Sequence, residues 1–315
     1  MRIAITGGTG FVGSHLARRL GDDGHDLVLI ARGVDEPNVD LLERENVEFV
    51  PAAVTDERTL REAFVDCEAV VHLAGINHER RAQTYEAVHV DGTRNVVEAA
   101  TDAGVSTLVL TSYLRARPDC GCAYHESKWE AERIVRRSGL EYTVVKPGVV
   151  YGPGDRMLWG IARSLATVPV FPRVGLRARR IRPVAIEDLV DVLAASILED
   201  RLSETTVAVT GPEELTVTDL VNRVGDVIGR SPLIVPAPVH AQIALSWVQE
   251  RALETPIVTT AGVRMLAEEA TEPAPEGVCD PLPDALRPTR PVTPERIAAG
   301  LPRLKPFGVG DLRWP

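Results

Sequence analysis

Tyr124 and Lys128 stand four residues apart in Tyr124-His125-Glu126-Ser127-Lys128, which opens the helical pattern WEAERIVRR. Positions i and i+4 lie on one helix face. An ammonium beside a phenol favours the phenolate, so Lys128 is expected to lower the Tyr124 pKa from its ordinary value of about 10. A tyrosine so tuned can act as acid or base near neutrality. Ser112 lies upstream, at the end of the apolar run Thr107 to Thr111. Its hydroxyl could donate to a substrate carbonyl oxygen and hold it against Tyr124. On its own, Y-x-x-x-K is a common spacing and an ordinary surface pair. Its weight comes from its position in the chain.

The chain opens on MRIAITGGTGFVGSHLARRL. A short apolar strand, Ile3 to Ile5, runs into a loop in which Gly7, Gly10 and Gly13 keep G-x-x-G-x-x-G spacing, and a helix follows from Phe11. Gly7 suits the tight turn, Gly10 lets backbone approach a pyrophosphate, and Gly13 lets the helix pack on the sheet. The helix N-terminus offers unpaired N–H groups and a positive dipole end to phosphates. A second strand, Asp26 to Ile30, completes the unit and brings Arg32 to its end. An acidic residue there would accept from a ribose 2′-hydroxyl. The forked cation of Arg32 suits a 2′-phosphate, which favours NADP over NAD. Asp35 and Glu36 are close enough to reverse that preference.

Further strands are expected at Val47 to Val50, Ala69 to Leu73, Thr107 to Thr111, Tyr142 to Val145 and Val207 to Val209, with one long helix over Thr84 to Ala103. The alternation of strand and helix implies right-handed crossovers and a parallel sheet. Ser112 and the loop from Pro147 then sit at its carboxyl edge, where ligands gather. His72, inside the run AVVHL, reads as a core histidine.

Together these residues resemble the extended and atypical short-chain dehydrogenase/reductase superfamily. The matching pieces are TGGTGFVG, VVHLAG, HVDGTRNVVEAA, the pairing TS…YHESK, KPGVVYGPGD and RPVAIEDLVD. The compact Ser–Tyr spacing, the E-A-E after Lys128 and the later PIVTTAGVRMLAEE look most like the atypical branch, which includes the short-chain-dehydrogenase-like accessory subunit of respiratory complex I. The resemblance implies a catalytic set of Ser112, Tyr124 and Lys128, with Lys128 also on the nicotinamide ribose. It implies cofactor contacts from Thr6, Gly7, Gly8, Thr9, Gly10, Phe11, Val12 and Gly13 at the first turn, and from Arg32, Ala53 and Val54 around the adenosine. Leu73, Ala74, Gly75 and Thr111 follow at the strand ends, and Pro147, Gly148, Val149 and Val150 after the sixth strand. Three positions depart from the pattern. His89 stands where Asn helps place a relay water, Ala53 replaces the Asp beside the adenine, and Lys146 replaces the Arg before Pro-Gly.

The expected fold is α/β, a doubly wound parallel sheet of Rossmann type with a small discontinuous C-terminal cap. Residues 1–152 and 182–210 form the nucleotide-binding domain; 153–181 and 211–315 form the cap, with a Pro-rich tail. The expected activity is NAD(P)(H)-dependent hydride transfer to or from a carbonyl or carbinol carbon. The alternatives are a sugar-nucleotide epimerase or dehydratase retaining NAD, and a noncatalytic NADPH-binding subunit of a larger complex. The net charge of −10 argues against a nucleic-acid partner. No run reaches the ~18–20 apolar residues of a membrane span, so a cytoplasmic protein is expected, with peripheral contact to a membrane complex left open. The resemblance accommodates a monomer or a homodimer. Cys67, Cys120, Cys122 and Cys279 lack paired zinc spacing, and no metal is expected. Arg173, Arg177, Arg179, Arg180 and Arg182 crowd one stretch and read either as a clamp for a phosphorylated or nucleotide-linked substrate or as a solvated basic loop. The helix Val239 to Leu253 carries Ile243, Trp247 and Val248 along part of its surface. Such a helix could lie on a membrane or dock on a partner complex, but it carries little positive charge and is expected to pack on the main domain.

Overall fold

Seven short apolar runs form one parallel sheet in the computed structural model, which describes residues 1–34, 38–80, 82–168, 170–252, 258–275 and 279–301. Elements are numbered along the chain. The sheet strands are β1 (Arg2–Thr6), β2 (Asp26–Ala31), β3 (Val47–Pro51), β4 (Ala69–His72), β5 (Thr107–Thr111), β6 (Glu141–Pro147) and β11 (Thr205–Val209). Their order is β11-β6-β5-β4-β1-β2-β3. The chain works outward from β1 through β2 to β3, then returns to β4 on the other side of β1. This reversal is the switch point at whose carboxyl ends an open α/β sheet holds its ligand. Thr6 pairs with Ile30 on one side and with His72 on the other.

Helices α1 (Phe11–Asp22), α2 (Val39–Leu42), α3 (Glu57–Ala63), α4 (Gly92–Asp102), α5 (Ala123–Arg136) and α7 (Ile186–Leu198) belong to this unit. Helix α1 buries Gly13, Leu16, Ala17 and Leu20, the helical spacing of a core-facing stripe. Ile3, Ile5, Leu29, Val71, Leu108 and Val144 are fully buried, as expected of strands covered on both faces. The long helix expected over Thr84 to Ala103 is divided: Glu86–Asp91 is π-helical and only Gly92–Asp102 is α. Single π turns often mark functional positions, and this one carries His89.

The chain divides into two compact units, the first comprising Met1–Pro147, Ile186–Val209 and Pro273–Arg287. The second comprises Gly148–Ala185, Thr210–Glu272 and Pro288–Pro315. The Pro-rich tail is thus shared between them. Asp280 joins the first unit, its N–H donating to Thr206 O (2.7 Å) and its carboxylate accepting from Thr206 N (2.9 Å).

The second unit holds β7 (Val150–Tyr151), α6 (Arg156–Thr167), β8 (Val170–Val174), β9 (Arg180–Ile181), β10 (Val184–Ala185) and β12 (Leu215–Thr216). Then come α8 (Val217–Val227), β13 (Leu233–Ala237), α9 (Val239–Ala252), α10 (Thr260–Ala267) and α11 (Pro294–Gly300). Its strands form three two-stranded pieces, β10 with β7, β12 with β9 and β13 with β8. Asp155 caps α6, and Thr216 and Asp219 form a reciprocal capping box on α8. No helix among the described residues is long and apolar enough to cross a membrane.

Candidate active site

The turn after β1 is built for close approach. Gly7 has φ +71°, and a Cβ on it would meet Ala74 N at 2.9 Å. A Cβ on Gly13 would lie 2.2 Å from Gly7 O, so only glycine lets α1 start against the loop. Gly10 caps α1 with no side-chain bond to the first turn, which leaves those N–H groups to a ligand. These are the features that a dinucleotide diphosphate requires, and the residues fit that group. Thr9 Oγ1 donates to Gly33 O (2.7 Å), and Asn38 Nδ2 donates to Thr9 O (3.0 Å), tying the glycine loop to the end of β2. Arg32 is exposed there. Sequence reading passed over Arg18, whose guanidinium reaches Asn38 (3.1 Å) and Asp40 (3.0 Å) on this edge. Nothing in its local sequence marks it. Asp35 and Glu36 lie outside the described residues. On the other flank, Asn95 Nδ2 donates to Val54 O (3.0 Å), fixing the backbone beside Ala53.

Tyr124 and Lys128 lie in the first two turns of α5, each 7% exposed. Tyr124 is enclosed by rings: Tyr85 and His89 both at 5.6 Å and Tyr113 at 5.7 Å, all edge-on. Lys128 Nζ donates to Thr111 O (3.2 Å). It also lies under Gly75, where a Cβ would come within 3.3 Å of both Lys128 Nζ and His89 Nε2. Burial pushes the Lys128 amine down to about 8, with the Glu132 carboxylate pulling the other way. The expectation that Lys128 lowers the Tyr124 pKa is corrected: burial moves the phenol well above its ordinary value. Loss of water around a phenolate is the main cause, and the nearby Cys122 thiol pushes the same way.

Ser112 is also placed differently. Its Oγ donates to Glu132 Oε1 at 2.5 Å. The same carboxylate pairs with Lys146 Nζ (2.8 Å) and Arg136 Nη2 (2.6 Å). Both cations lie over the Trp129 ring, at 5.5 Å and 5.3 Å. Glu132 and Lys146 are fully buried. A serine has one hydroxyl proton, and here it goes to Glu132. In this arrangement the Ser112 proton points to Glu132 rather than to a substrate position. Glu132 belongs to the E-A-E that follows Lys128 in the sequence, but its role was not legible there, because Ser112 and Lys146 are 20 and 14 residues away and only Arg136 is at i+4.

His89 fills its departure position with a fixed tautomer. Ile76 N donates to Nε2 (3.0 Å), so Nδ1 carries the proton and donates to Ser127 Oγ (2.9 Å), which donates to Tyr124 O (3.0 Å). Burial holds its pKa well below the ordinary histidine range. His89 thus staples the loop after β4 to α5, and both ring nitrogens are engaged. His72 is the core histidine that was expected. Its Nδ1 accepts from Thr6 Oγ1 (2.7 Å) and its Nε2 faces Thr93 Oγ1 (3.1 Å), whose own proton goes to His89 O.

Thr6, Leu73, Ala74, Gly75, Thr111, Tyr124 and Lys128 thus gather at the carboxyl ends of β1, β4 and β5. Pro147 ends β6, and Gly148, Val149 and Val150 belong to the second unit. In that unit, Arg180 and Arg182 both face Glu214, at 2.7 Å and 3.7 Å, and Arg173 donates to Leu176 O. Two of the five clustered arginines are therefore already paired. All four cysteines are free thiols, and no group of metal ligands occurs among the described residues.

A parallel sheet with a switch point, a glycine turn at it and a buried Tyr–Lys pair beside it define an NAD(P)-binding protein of the short-chain dehydrogenase/reductase class. The chain belongs to that superfamily: residues 7–156 match a family described as NAD(P)H-binding. It is 31% identical over 237 residues to the ceramide reductase of Caulobacter vibrioides, covering 75% of this chain and 73% of that protein. It is 24% identical to the 40 kDa subunit of mitochondrial NADH-ubiquinone oxidoreductase from Neurospora crassa, covering 81% and 68% of the two chains. Other relatives are longer; a Mycobacterium tuberculosis protein, 26% identical over 77% of this chain, is matched over 25% of its length. Among solved structures, MoeE5 bound to UDP-glucose and NAD superposes with a TM-score of 0.71 at 18% identity, covering 95% and 97% of the chains. The UDP-glucose 4-epimerase of Thermus thermophilus gives 0.63 at 22% identity, covering 85% and 98%. These superpositions establish the fold.

Proposed function

We propose that the protein is an NADP(H)-dependent carbonyl reductase in which Tyr124 is the proton donor. The observation that carries this reading is the burial of Tyr124 and Lys128 on one face of α5, with Lys128 Nζ on Thr111 O at the carboxyl end of β5. Bound nicotinamide would supply the hydride. The glycine turn and the α1 N-terminus would hold the diphosphate, Arg32 would hold the 2′-phosphate, and Gly75 would leave room for the nicotinamide ribose against Lys128. As the carbonyl carbon gains hydride, its oxygen takes the Tyr124 proton, and Lys128 stabilises the phenolate left behind. Solvent then returns the proton to Tyr124. Burial keeps Tyr124 protonated, the form from which a proton donor must start. Ser112 takes no part as a donor.

The Caulobacter relative makes a lipid of the ceramide class the first substrate to assay. Nucleotide-stripped protein should bind NADPH at least about tenfold more tightly than NADH, and Arg32→Ala should remove that preference. NADPH oxidation by wild type on the correct carbonyl should vanish in Tyr124→Phe. Equal turnover in Tyr124→Phe rejects the mechanism, and tighter NADH binding rejects the role of Arg32.

A second reading rests on the engagement of both His89 nitrogens and of the Ser112 proton, which leaves this site without the family's proton relay. Under it the protein binds NADPH as a structural subunit, as its likeness to the Neurospora subunit allows. NADPH would then raise the melting temperature with no turnover on any carbonyl. The third reading, an epimerase, is distinguished by NAD that survives purification.

A further inference from the structure

Helix α9 buries two polar side chains, Gln242 and Ser246, and exposes much of its apolar surface. Its inward face sets these polar side chains beside half-buried Val239 and Ile243: Gln242 Nε2 donates to Pro172 O (3.0 Å), and Ser246 Oγ lies 3.3 Å from Thr260 Oγ1. Glu250 continues the same stripe, accepting from Thr260 N (2.8 Å) and Thr260 Oγ1 (3.0 Å). Its outward face is apolar. Leu245, Trp247 and Val248 are 49%, 52% and 51% exposed, and Ala241, Ala244 and Ala252 are exposed with them. Residues 241, 244, 245, 248 and 252 keep the i, i+3, i+4, i+7, i+11 spacing that normally faces a core. Scattered exposed apolar residues are ordinary; a continuous stripe opposite a satisfied polar face marks a surface that something covers.

Three features identify what covers it. The only ionisable groups that α9 exposes are His240 and Arg251, since Glu250 points inward. Arg251 lays its guanidinium 3.5 Å over the Trp247 ring, pairing a cation with the aromatic type that favours the level of lipid headgroups. The turn after β8 abuts the first residue of α9, where a Cβ on Gly175 would lie 3.6 Å from Val239 Cγ2. There Leu176, 71% exposed, and exposed Arg177 extend the same combination. The second unit as a whole carries more Lys and Arg than Asp and Glu, although the chain is −10 overall. A protein partner needs more area than this. A face about 20 Å long and 10 Å across covers on the order of 200 Å², against ~800 Å² per partner in a stable interface. A second copy would also set Arg251, His240 and Arg177 against their own kind.

We propose that α9 is a membrane-surface element that lays its Leu245–Trp247–Val248 face into the headgroup region of an anionic bilayer. The inference concerns the second unit alone and stands whether or not the reductase reading holds.

The test is sedimentation of the full chain with phosphatidylcholine vesicles made with and without phosphatidylglycerol. Wild type should sediment with the anionic vesicles, with a blue shift of tryptophan emission that Trp247→Phe abolishes while binding persists. The double variant Leu245→Gln/Val248→Gln changes only exposed positions, so its melting temperature should match wild type, while its partitioning falls at least about tenfold. Failure of wild type to sediment with anionic vesicles overturns the proposal, as does full binding by the double variant. A wild-type dimer that the double variant splits, with no vesicle binding, assigns the face to a second copy and also overturns it.

Discussion

Ser112 Oγ donates its single proton to Glu132 Oε1 at 2.5 Å, inside a buried cluster completed by Lys146 and Arg136. Under the proposed mechanism this bond leaves Ser112 a structural rather than a donor role. Ser112→Ala should lower kcat/KM by no more than about threefold, whereas Tyr124→Phe should lower it at least about a hundredfold. Steady-state kinetics on the same substrate decides. Comparable losses in the two variants would return Ser112 to a donor role.

Glu132 answers two buried or half-buried cations at once. Removing one partner of such a set leaves an uncompensated charge. Glu132→Gln should therefore cost about 3–5 kcal/mol in urea unfolding. Glu130→Gln, at a half-exposed pair with Arg133, should cost under about 1 kcal/mol. Similar midpoints for the two would show that the buried cluster contributes nothing.

His72 gives acid sensitivity a definite sign. Burial lowers its folded pKa to about 3 from an ordinary 6.5. The unfolded chain therefore binds a proton that the folded chain refuses. Stability is fully present above pH 6.5 or so and falls as pH drops from there toward 3, by at most roughly 5 kcal/mol from this group. His72→Gln should flatten the fall in urea midpoint over that window. An unchanged slope would show that His72 titrates normally.

Lys128 sets the alkaline side. Its amine titrates at about 8 while the Tyr124 phenol stays protonated beyond that. Carbonyl reduction, followed as kcat/KM, should decline as pH rises through 8 or so, because the charge that stabilises the phenolate is lost. Lys128→Arg should move this limb upward. A profile that instead rises through pH 8 would mean that the phenolate is the working form.

Gly13→Ala tests the cradle. Its Cβ would fall 2.2 Å from the Gly7 carbonyl oxygen, a backbone atom that cannot swing away. Overpacking there should cost about 1–3 kcal/mol and abolish NADPH binding in a fluorescence titration. Gly24→Ala offers a control: no heavy atom lies within 4 Å of its Cβ, although its φ of +86° adds local strain. It should retain NADPH affinity.

The amino-acid sequence by itself determined what is settled within a few residues. Glycine spacing set the β1–α1 turn, β-branched runs set the strands, and i, i+4 spacing placed Tyr124 and Lys128 on one face of α5. Strand–helix alternation then allowed little besides a parallel sheet with a switch point beside β1. Tertiary structure decided whatever depends on side chains far apart in the chain. It delivered the Ser112 proton to Glu132, closed both nitrogens of His89 against Ile76 and Ser127, and converted part of a long helix into a π turn. It also buried Gln242 and Ser246 of α9 and left Trp247 and Val248 about half exposed. Composition marks such residues as polar or apolar. Direction and desolvation come only from the neighbours that folding supplies, and those two quantities set whether a hydroxyl donates or a phenol keeps its proton.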